Sequence, residues 1–147
     1  VELLAVAREA AENLRSAAKT RNVTVEVTGT PATVSGVRRL LYEIVLNLCD
    51  NAIKYNTEGG RVEVEVAQDG GTAAVTVRDT GIGIPPEHQS RVFERFYRVD
   101  KSHSKASGGT GLGLSIVKHA VQYHHGVIQL KSEVGKGTEI RVTFPAA

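Results

Sequence analysis

Apolar positions recur with helical spacing in three stretches of the chain, residues 5–20, 37–55 and 112–124. Their spacing of three or four positions matches the 3.6 residues of an α-helical turn, so the pattern predicts three main helices. Ser35 precedes the second stretch and is predicted to be its N-cap. A shorter helix is predicted to begin at the Pro-Pro-Glu sequence of 85–87 and to run to about Phe93.

Other stretches alternate apolar and polar residues, which is the period of a β-strand. They are residues 22–28, 61–68, 72–79, 127–132 and 138–144. Because residues 69–71 are Asp-Gly-Gly and another glycine-containing turn joins the last two stretches, two antiparallel hairpins are expected. Short strands are also predicted at 1–4 and 32–35. The polar stretch 98–109, rich in Ser and Gly at its end, is predicted to be a mobile loop.

Together these elements predict an α+β fold, a two-layer sandwich with one largely antiparallel sheet covered on one face by helices. A length of 147 residues with 41% hydrophobic and 23% charged residues fits a single domain spanning 1–147. The net charge of +2 gives no reason to expect nucleic acid or an anionic membrane as a partner. The single Cys49 excludes an internal disulfide and is expected to be structural. No apolar run approaches the roughly 18 residues that a membrane span requires.

Three polar residues lie in one row along the edge of the apolar stripe of 37–55, namely Asn47, Asn51 and Lys54. Amides beside an apolar surface need hydrogen-bond partners, and hydrated Mg²⁺ with phosphate oxygens would supply them. Each residue alone is better explained as a capping amide or a solvated lysine. The three at this spacing, followed by the motifs below, favour a metal and phosphate site. Tyr55 could pack against ribose or adenine, or belong to the core.

A carboxylate followed by glycines marks the end of a predicted strand. Asp79 can accept a hydrogen bond from the exocyclic amino group of adenine, while Gly81 and Gly83 let the base approach the backbone. The alternative is an ordinary Asp-Thr-Gly turn, and an aspartic protease is disfavoured because no second such motif is present. Thr138, after the tight turn of 135–137, could bond the adenine edge beside this carboxylate.

A glycine-rich turn at 109–113 immediately precedes the last predicted helix. The N–H groups at a helix N-terminus bind phosphate, although a lone turn of this kind is at least as often structural. It is not a Walker A loop, because no Gly-Lys-Ser/Thr follows, and it lacks the spacing of a dinucleotide fingerprint. Arg98 and Lys105 in the preceding loop could reach the same phosphates, which predicts either a lid or a plain surface loop.

In their order and spacing these motifs resemble the boxes of the GHKL ATPase superfamily. Within it, the chain is similar to the catalytic and ATP-binding domain of bacterial sensor histidine kinases, and 95–105 looks most similar to the phosphate-regulon group. The resemblance implies the Bergerat fold, with ATP between the helical layer and the lid. The matching segments are the N box at 47–56, the F box at 93–98, and the glycine boxes at 79–83, 109–113 and 135–138.

The resemblance also implies a role for each site residue. Asn47 and Asn51 would hold Mg²⁺ and phosphates, and Arg98 would join Asn47 in catalysis at the γ-phosphate. Asp79 would bind adenine with support from Thr138. The full set implied to contact ATP is Asn51, Lys54, Tyr55, Asp79, Gly81, Gly83, Ile84, Lys105, Thr110, Gly111, Leu112, Gly113, Leu114 and Thr138.

One position distinguishes a kinase from a hydrolase within the superfamily. Related gyrase and mismatch-repair ATPases carry a water-activating glutamate where this chain has Asn47, and an amide cannot act as a general base near neutral pH. The resemblance therefore favours a protein-histidine kinase. A stand-alone ATP hydrolase, a serine kinase of the anti-sigma-factor type and a non-catalytic module remain alternatives.

The phosphoacceptor of such a kinase is expected outside this chain. None of its histidines, His88, His103, His119, His124 and His125, has the sequence setting of the family's acceptor. The acceptor is expected on a preceding dimeric helical domain, with a response regulator downstream and no autophosphorylation by this piece alone. The chain is expected to be a monomeric cytoplasmic part of a membrane-anchored sensor, without direct membrane contact of its own.

Overall fold

The alternating stretches pair into one sheet in a computed structural model that describes residues 1–95, 97 and 113–147. The helices α1 to α5 are Leu3–Asn13, Arg15–Thr20, Arg38–Lys54, Pro86–Gln89 and Gly113–Tyr123. The strands β1 to β5 are Thr24–Gly29, Arg61–Asp69, Thr72–Asp79, Val127–Glu133 and Gly137–Pro145.

The order of the described strands across the sheet is β1-β2-β3-β5-β4. Only β1 and β2 run parallel, and the other neighbouring strands are antiparallel. This arrangement confirms the predicted α+β fold with a largely antiparallel sheet. The register of β3 on β5 sets Asp79 opposite Thr138, so two residues predicted to meet adenine are neighbours.

The core lies between the sheet and the long helices. Val62, Val64 and Val66 of β2 point inward and have 0% of their surface exposed. Leu41 and Leu48 of α3 belong to the same hydrophobic cluster and are at most 2% exposed. Burial of each such side chain stabilises the fold by about 1.5–3 kcal/mol. Helix α3 is the centre of the helical layer and packs against both α1 and α5.

Cys49 is part of this core, as its apolar surroundings in the sequence predict. It has 0% of its surface exposed and is a free thiol. Burial, together with the negative charge of Asp50, raises the pKa of Cys49 to about 12. The thiol therefore acts as a small apolar side chain.

The face of the sheet away from the helices carries charged residues. Arg78 on β3 bonds Glu139 at 2.6 Å and pairs with Glu65 at 3.6 Å across neighbouring strands. Hydrogen bonding to Glu139 raises the pKa of Arg78. Thr76 lies between Glu65 and Arg141 on the neighbouring strands and is only 2% exposed.

Two predictions for the start of the chain are wrong. Residues 1–4 do not form a strand, because α1 begins at Leu3. Leu3 lies on the buried face of that helix and is 1% exposed. Glu2 caps this helix by accepting hydrogen bonds from the N–H groups of Leu4 and Ala5. Residues 32–35 contribute only an isolated bridge from Thr33 to Glu2.

The predicted helix of residues 5–20 is divided at Leu14, and Ser35 is not the N-cap of α3. Val37 holds that position without a side-chain hydrogen bond. Helix α4 ends at Gln89 rather than near Phe93, because the chain continues in turns.

The other described elements agree with the predicted bounds within one or two residues, which is the usual spread of helix and strand ends. Loop 98–109 lies outside the described residues, and among the described helices none is long and apolar enough to cross a membrane.

Candidate functional site

Helix α5 begins directly against the two predicted metal and phosphate ligands on α3. A Cβ atom placed on Gly113 would lie 3.3 Å from Oδ1 of Asn47 and 3.7 Å from Nδ2 of Asn51. The structure therefore brings the N-box amides and the end of the second glycine motif together, although 61 residues or more separate them in sequence. The N-terminal end of a helix favours anions, because its free N–H groups and its dipole point towards them.

The amide of Asn47 is oriented by its own helix. Its Nδ2 donates a hydrogen bond of 2.7 Å to the carbonyl oxygen of Glu43, one turn earlier. This contact leaves Oδ1 facing Gly113, and an amide oxygen is a ligand that Mg²⁺ accepts. Asn51 instead places its Nδ2 nearer to Gly113, which suits donation to a phosphate oxygen.

Lys54 is paired within α3. Its Nζ lies 2.9 Å from Oδ2 of Asp50, and both side chains are about one quarter to one third exposed. An Asp and a Lys four residues apart on a helix stabilise it by roughly 0.2–0.5 kcal/mol. Tyr55, the C-cap residue of α3, is 39% exposed and so is not a plain core residue.

Asp79 is fixed at the end of β3 by two backbone donors. Its Oδ1 accepts hydrogen bonds from Gly81 N at 2.9 Å and Thr138 N at 3.1 Å. No described residue donates a hydrogen bond to Oδ2. Burial raises the pKa of Asp79, and the two backbone hydrogen bonds oppose that rise. The result is a partly buried carboxylate whose direction is set by the sheet register.

The turn after Asp79 packs on the end of α3. Ile82 N donates to the carbonyl oxygen of Tyr55 at 3.1 Å, and a Cβ on Gly81 would lie only 2.4 Å from that oxygen. Tyr55 is one helical turn beyond Asn51, a rise of about 6 Å. The Asp79 turn and the Asn47–Asn51 row therefore lie at neighbouring positions along α3.

Close backbone approach makes two further glycines necessary. Gly137 has φ +130°, and a Cβ there would lie 1.9 Å from the carbonyl oxygen of Asp79. Gly83 has φ +76°, and its Cβ would lie 2.2 Å from the carbonyl oxygen of Glu133. Both positions exclude other side chains by conformation and by contact.

Ser132 and Gln89 support this turn and were not predicted. Ser132 Oγ accepts from Ile84 N at 2.7 Å and lies 2.8 Å from Thr138 Oγ1. Gln89 donates to the carbonyl oxygens of Ile84 and Ser132. The register of the final hairpin, which sets Ser132 opposite Thr138, is the sequence signal that could have identified this serine.

The remaining predicted site residues divide into two groups. Leu114, next to Gly113, is partly buried and packs against the core. The other positions lie outside the described residues, namely Arg98, Lys105, Thr110, Gly111 and Leu112.

Residues 36–147 match the family of histidine kinase-, DNA gyrase B- and HSP90-like ATPases, and the chain belongs to it. Over 112 residues it is 46% identical to the sensor-like histidine kinase SenX3 of Mycolicibacterium smegmatis, covering 76% of this chain and 29% of that protein. The mycobacterial sensor histidine kinase MprB superposes with a TM-score of 0.87 at 36% identity, covering 99% of this chain and 95% of the other. Full-length ShkA in complex with AMPPNP superposes with a TM-score of 0.85 at 30% identity, covering 100% of this chain and 30% of the other.

These matches confirm the resemblance to sensor histidine kinases and the fold that it implies. The chain spans less than a third of the length of the curated relatives it matches. The assignment to the phosphate-regulon group stays a prediction.

Proposed function

We propose that this chain binds Mg²⁺-ATP and donates the γ-phosphoryl group to a histidine on a separate helical domain in two-component signalling. The observation that carries this proposal is the meeting of Gly113 with the amides of Asn47 and Asn51. Membership of the ATPase family supports it, as does the likeness to ShkA, whose structure holds an ATP analogue. The chain forms one such module over residues 1–147.

Asp79 recognises the adenine in this proposal. Two backbone N–H groups hold its Oδ1, so Oδ2 is left to accept a hydrogen bond from the exocyclic amino group of the base. Gly81 and Gly83 let the base lie against backbone, and Tyr55 offers a half-exposed ring beside it. A base with an oxygen in place of that amino group would place this oxygen against Oδ2 of Asp79. Both atoms are hydrogen-bond acceptors, so such a base would bind poorly.

Asn47 and Asn51 hold the phosphate end. Asn47 presents Oδ1 as a metal ligand, and Asn51 presents Nδ2 to a phosphate oxygen. Lys54 adds positive charge when its ammonium group leaves Asp50 and pairs with a phosphate of the nucleotide. An oxygen donor set completed by phosphates and water fits Mg²⁺. When bound, Mg²⁺ supplies charge that neutralises the phosphate oxygens. Arg98 is the proposed further cation at the γ-phosphate.

The same arrangement favours a kinase over a hydrolase. Asn47 stands where a water-activating carboxylate is required, and its amide cannot take a proton from water. The nucleotide is therefore kept for a nucleophile from another domain. We propose a histidine of a dimeric helical domain as that nucleophile, and a response regulator as the later acceptor. The isolated chain is then a monomer, and the whole protein a membrane-anchored sensor with this module in the cytoplasm.

Phosphoryl transfer tests the proposal. The chain is mixed with the helical phosphoacceptor domain of the same protein and with γ-labelled ATP and Mg²⁺, and acid-labile label on that domain is measured. Transfer is expected with wild type and not with Asn51→Ala. Persistent absence of transfer would contradict the kinase assignment, and steady phosphate release by the chain alone, lost in Asn51→Ala, would indicate a hydrolase.

A further inference from the structure

His124 is a buried polar residue that the proposed nucleotide site does not use. It follows α5 directly, is 6% exposed, and uses both of its ring nitrogens. Nδ1 lies 2.7 Å from the carbonyl oxygen of Ala120, and Nε2 accepts from Val37 N at 3.0 Å. Because a carbonyl can only accept and an N–H can only donate, the ring is in the neutral tautomer with its hydrogen on Nδ1.

The two hydrogen bonds connect the end of one helix to the start of another. Ala120 belongs to α5, whereas Val37 is the N-cap residue of α3. The ring also fills the space above Gly36, where a Cβ would lie 2.2 Å from its Cδ2, and it meets Phe144 edge-on. Val37 lacks a side-chain cap, so His124 provides the polar contact at this end of α3.

The same two helices meet again at the proposed phosphate site. Gly113 at the start of α5 contacts Asn47 and Asn51 in the middle of α3. From Gly113 to His124 the helix rises by about 16 Å. The two helices pack against each other, and polar groups of both meet at two places along that packing, the phosphate end and His124. A rigid helix transmits a shift at one place to the other.

We propose that His124 is a positioning residue for the nucleotide phosphates, because it fixes α5 along α3 and so sets the gap between Gly113 and the two amides. This inference rests on the proposed ATP binding and adds the residue that maintains its phosphate end. The adenine end is built from β3, the start of β5 and the Asp79 turn, and neither His124 hydrogen bond reaches these segments. The ring meets β5 at Phe144, six residues beyond Thr138. A loss of His124 should therefore weaken phosphate binding selectively.

Two amide substitutions separate the bond between helices from the bond within α5. In His124→Gln the side-chain oxygen can reach the place of Nε2 and accept from Val37 N. In His124→Asn the shorter amide can replace only Nδ1 and donate to Ala120. His119→Asn, on the exposed face of the same helix, is the matched control.

The test is binding of two ligands to the whole chain, adenosine and a non-hydrolysable ATP analogue with Mg²⁺. Calorimetry measures the affinity for the analogue, NMR titration measures the affinity for adenosine, and circular dichroism confirms folding at the working temperature. His124→Asn should lower the affinity for the analogue by about three- to thirtyfold and change the affinity for adenosine by less than about twofold. His124→Gln should restore most of the affinity, and His119→Asn should match wild type.

Equal losses for both ligands, no loss for either, or equal behaviour of the Gln and Asn variants would overturn the proposal. If His124→Asn fails to fold, Gly36→Ala tests the same contact, because its methyl group displaces the ring. It should give the same selective loss, and an unselective or absent loss would again contradict the proposal. If folded wild type binds neither ligand, the proposed function itself fails, which is a separate outcome.

Discussion

The two ends of the proposed nucleotide site are built in different ways. At the adenine end, the position of Asp79 follows from strand register, backbone N–H groups and the absence of a side chain at Gly137. At the phosphate end, Asn47 and Asn51 meet Gly113 only because helices α3 and α5 pack together. The first end is part of the sheet, and the second is a contact between separate helices.

This difference has a consequence for function. Hydrogen-bonded strands cannot shift by less than a full register step, so the adenine end has one geometry. Packed helices can slide by 1–2 Å, on the order seen in switching proteins, so the phosphate end can be adjusted by contacts elsewhere. We therefore expect substitutions at the adenine end to abolish nucleotide binding, and substitutions at the phosphate end to lower the affinity by degrees.

The largest effect is expected from Gly137→Ala. The added methyl group would lie 1.9 Å from the carbonyl oxygen of Asp79, at φ +130°. The strand must move, and the cost is about 2–4 kcal/mol of unfolding free energy, measured by urea denaturation. Gly135→Ala is the matched control, because its φ is +82° but nothing lies within 4 Å of its Cβ position. It should cost only about 1 kcal/mol, and equal losses would refute the close-approach explanation.

Asp79→Asn should remove adenine binding without weakening the fold. The amide oxygen can still accept from Gly81 and Thr138, whereas the charged acceptor for the base is lost. We expect affinity for both adenosine and an ATP analogue to fall by about a hundredfold or more. Calorimetry measures the loss, and Asp69→Asn in the distant hairpin is the control. Retained adenosine binding would place the base elsewhere.

Stability of the same pair of proteins should depend on pH. Burial raises the pKa of Asp79, so the folded chain holds its proton more tightly than the unfolded chain does. The contribution of this group to stability therefore falls as pH rises from its ordinary pKa through the raised value, and the penalty is complete above it. Asp79→Asn should be at least as stable as wild type near neutral pH. Thermal melts should show the difference shrinking in acid, and a growing difference would contradict the sign.

Asn47→Leu should affect only the phosphate end. The substitution keeps the branched shape and the number of side-chain heavy atoms but removes the oxygen that faces Gly113. We expect Mg²⁺ to lose its effect on affinity for a triphosphate analogue, with a drop of about tenfold, while adenosine binding is unchanged. Titrations with and without Mg²⁺ measure this. An unchanged Mg²⁺ effect would exclude Asn47 as a metal ligand.

The smallest effect is expected from His125→Gly, outside both ends. His125 has φ +60°, a conformation that costs a residue with a side chain about 1–2 kcal/mol and costs glycine little. Part of that gain is offset by the larger conformational freedom of unfolded glycine, so stability should rise by about 0.5–1 kcal/mol. A rise in melting temperature with unchanged nucleotide affinity is the expected result, and a fall would show that the imidazole makes a stabilising contact.

Local patterns in the sequence predicted most of the fold. Alternation and helical spacing depend on neighbouring residues alone, so the strands and α3 were found within one or two positions. Leu3 and Leu4 were misassigned, because an apolar pair fits a strand or a buried helix equally well. Only their burial beneath the rest of the chain selects the helix.

Site residues that belong to sequence motifs could be predicted. Residues whose role depends on long-range contacts could not. Asp79 and Asn47 stand in recognisable motifs. His124, in contrast, makes its decisive hydrogen bond to Val37, 87 positions away, and Ser132 bonds Ile84 over 48 positions. No local pattern marks His124, because packing of the helices alone brings Val37 close to it. For Ser132 the hairpin register indicates the neighbour Thr138 but not the distant partner Ile84.

The central claim is that this chain forms a nucleotide site with an adenine end and a magnesium-dependent phosphate end. The most direct test is calorimetric titration of folded wild-type chain with a non-hydrolysable ATP analogue, with and without Mg²⁺. We predict binding of one nucleotide per chain that Mg²⁺ strengthens. Absence of binding by the folded chain at millimolar nucleotide, or binding that Mg²⁺ leaves unchanged, would contradict the account.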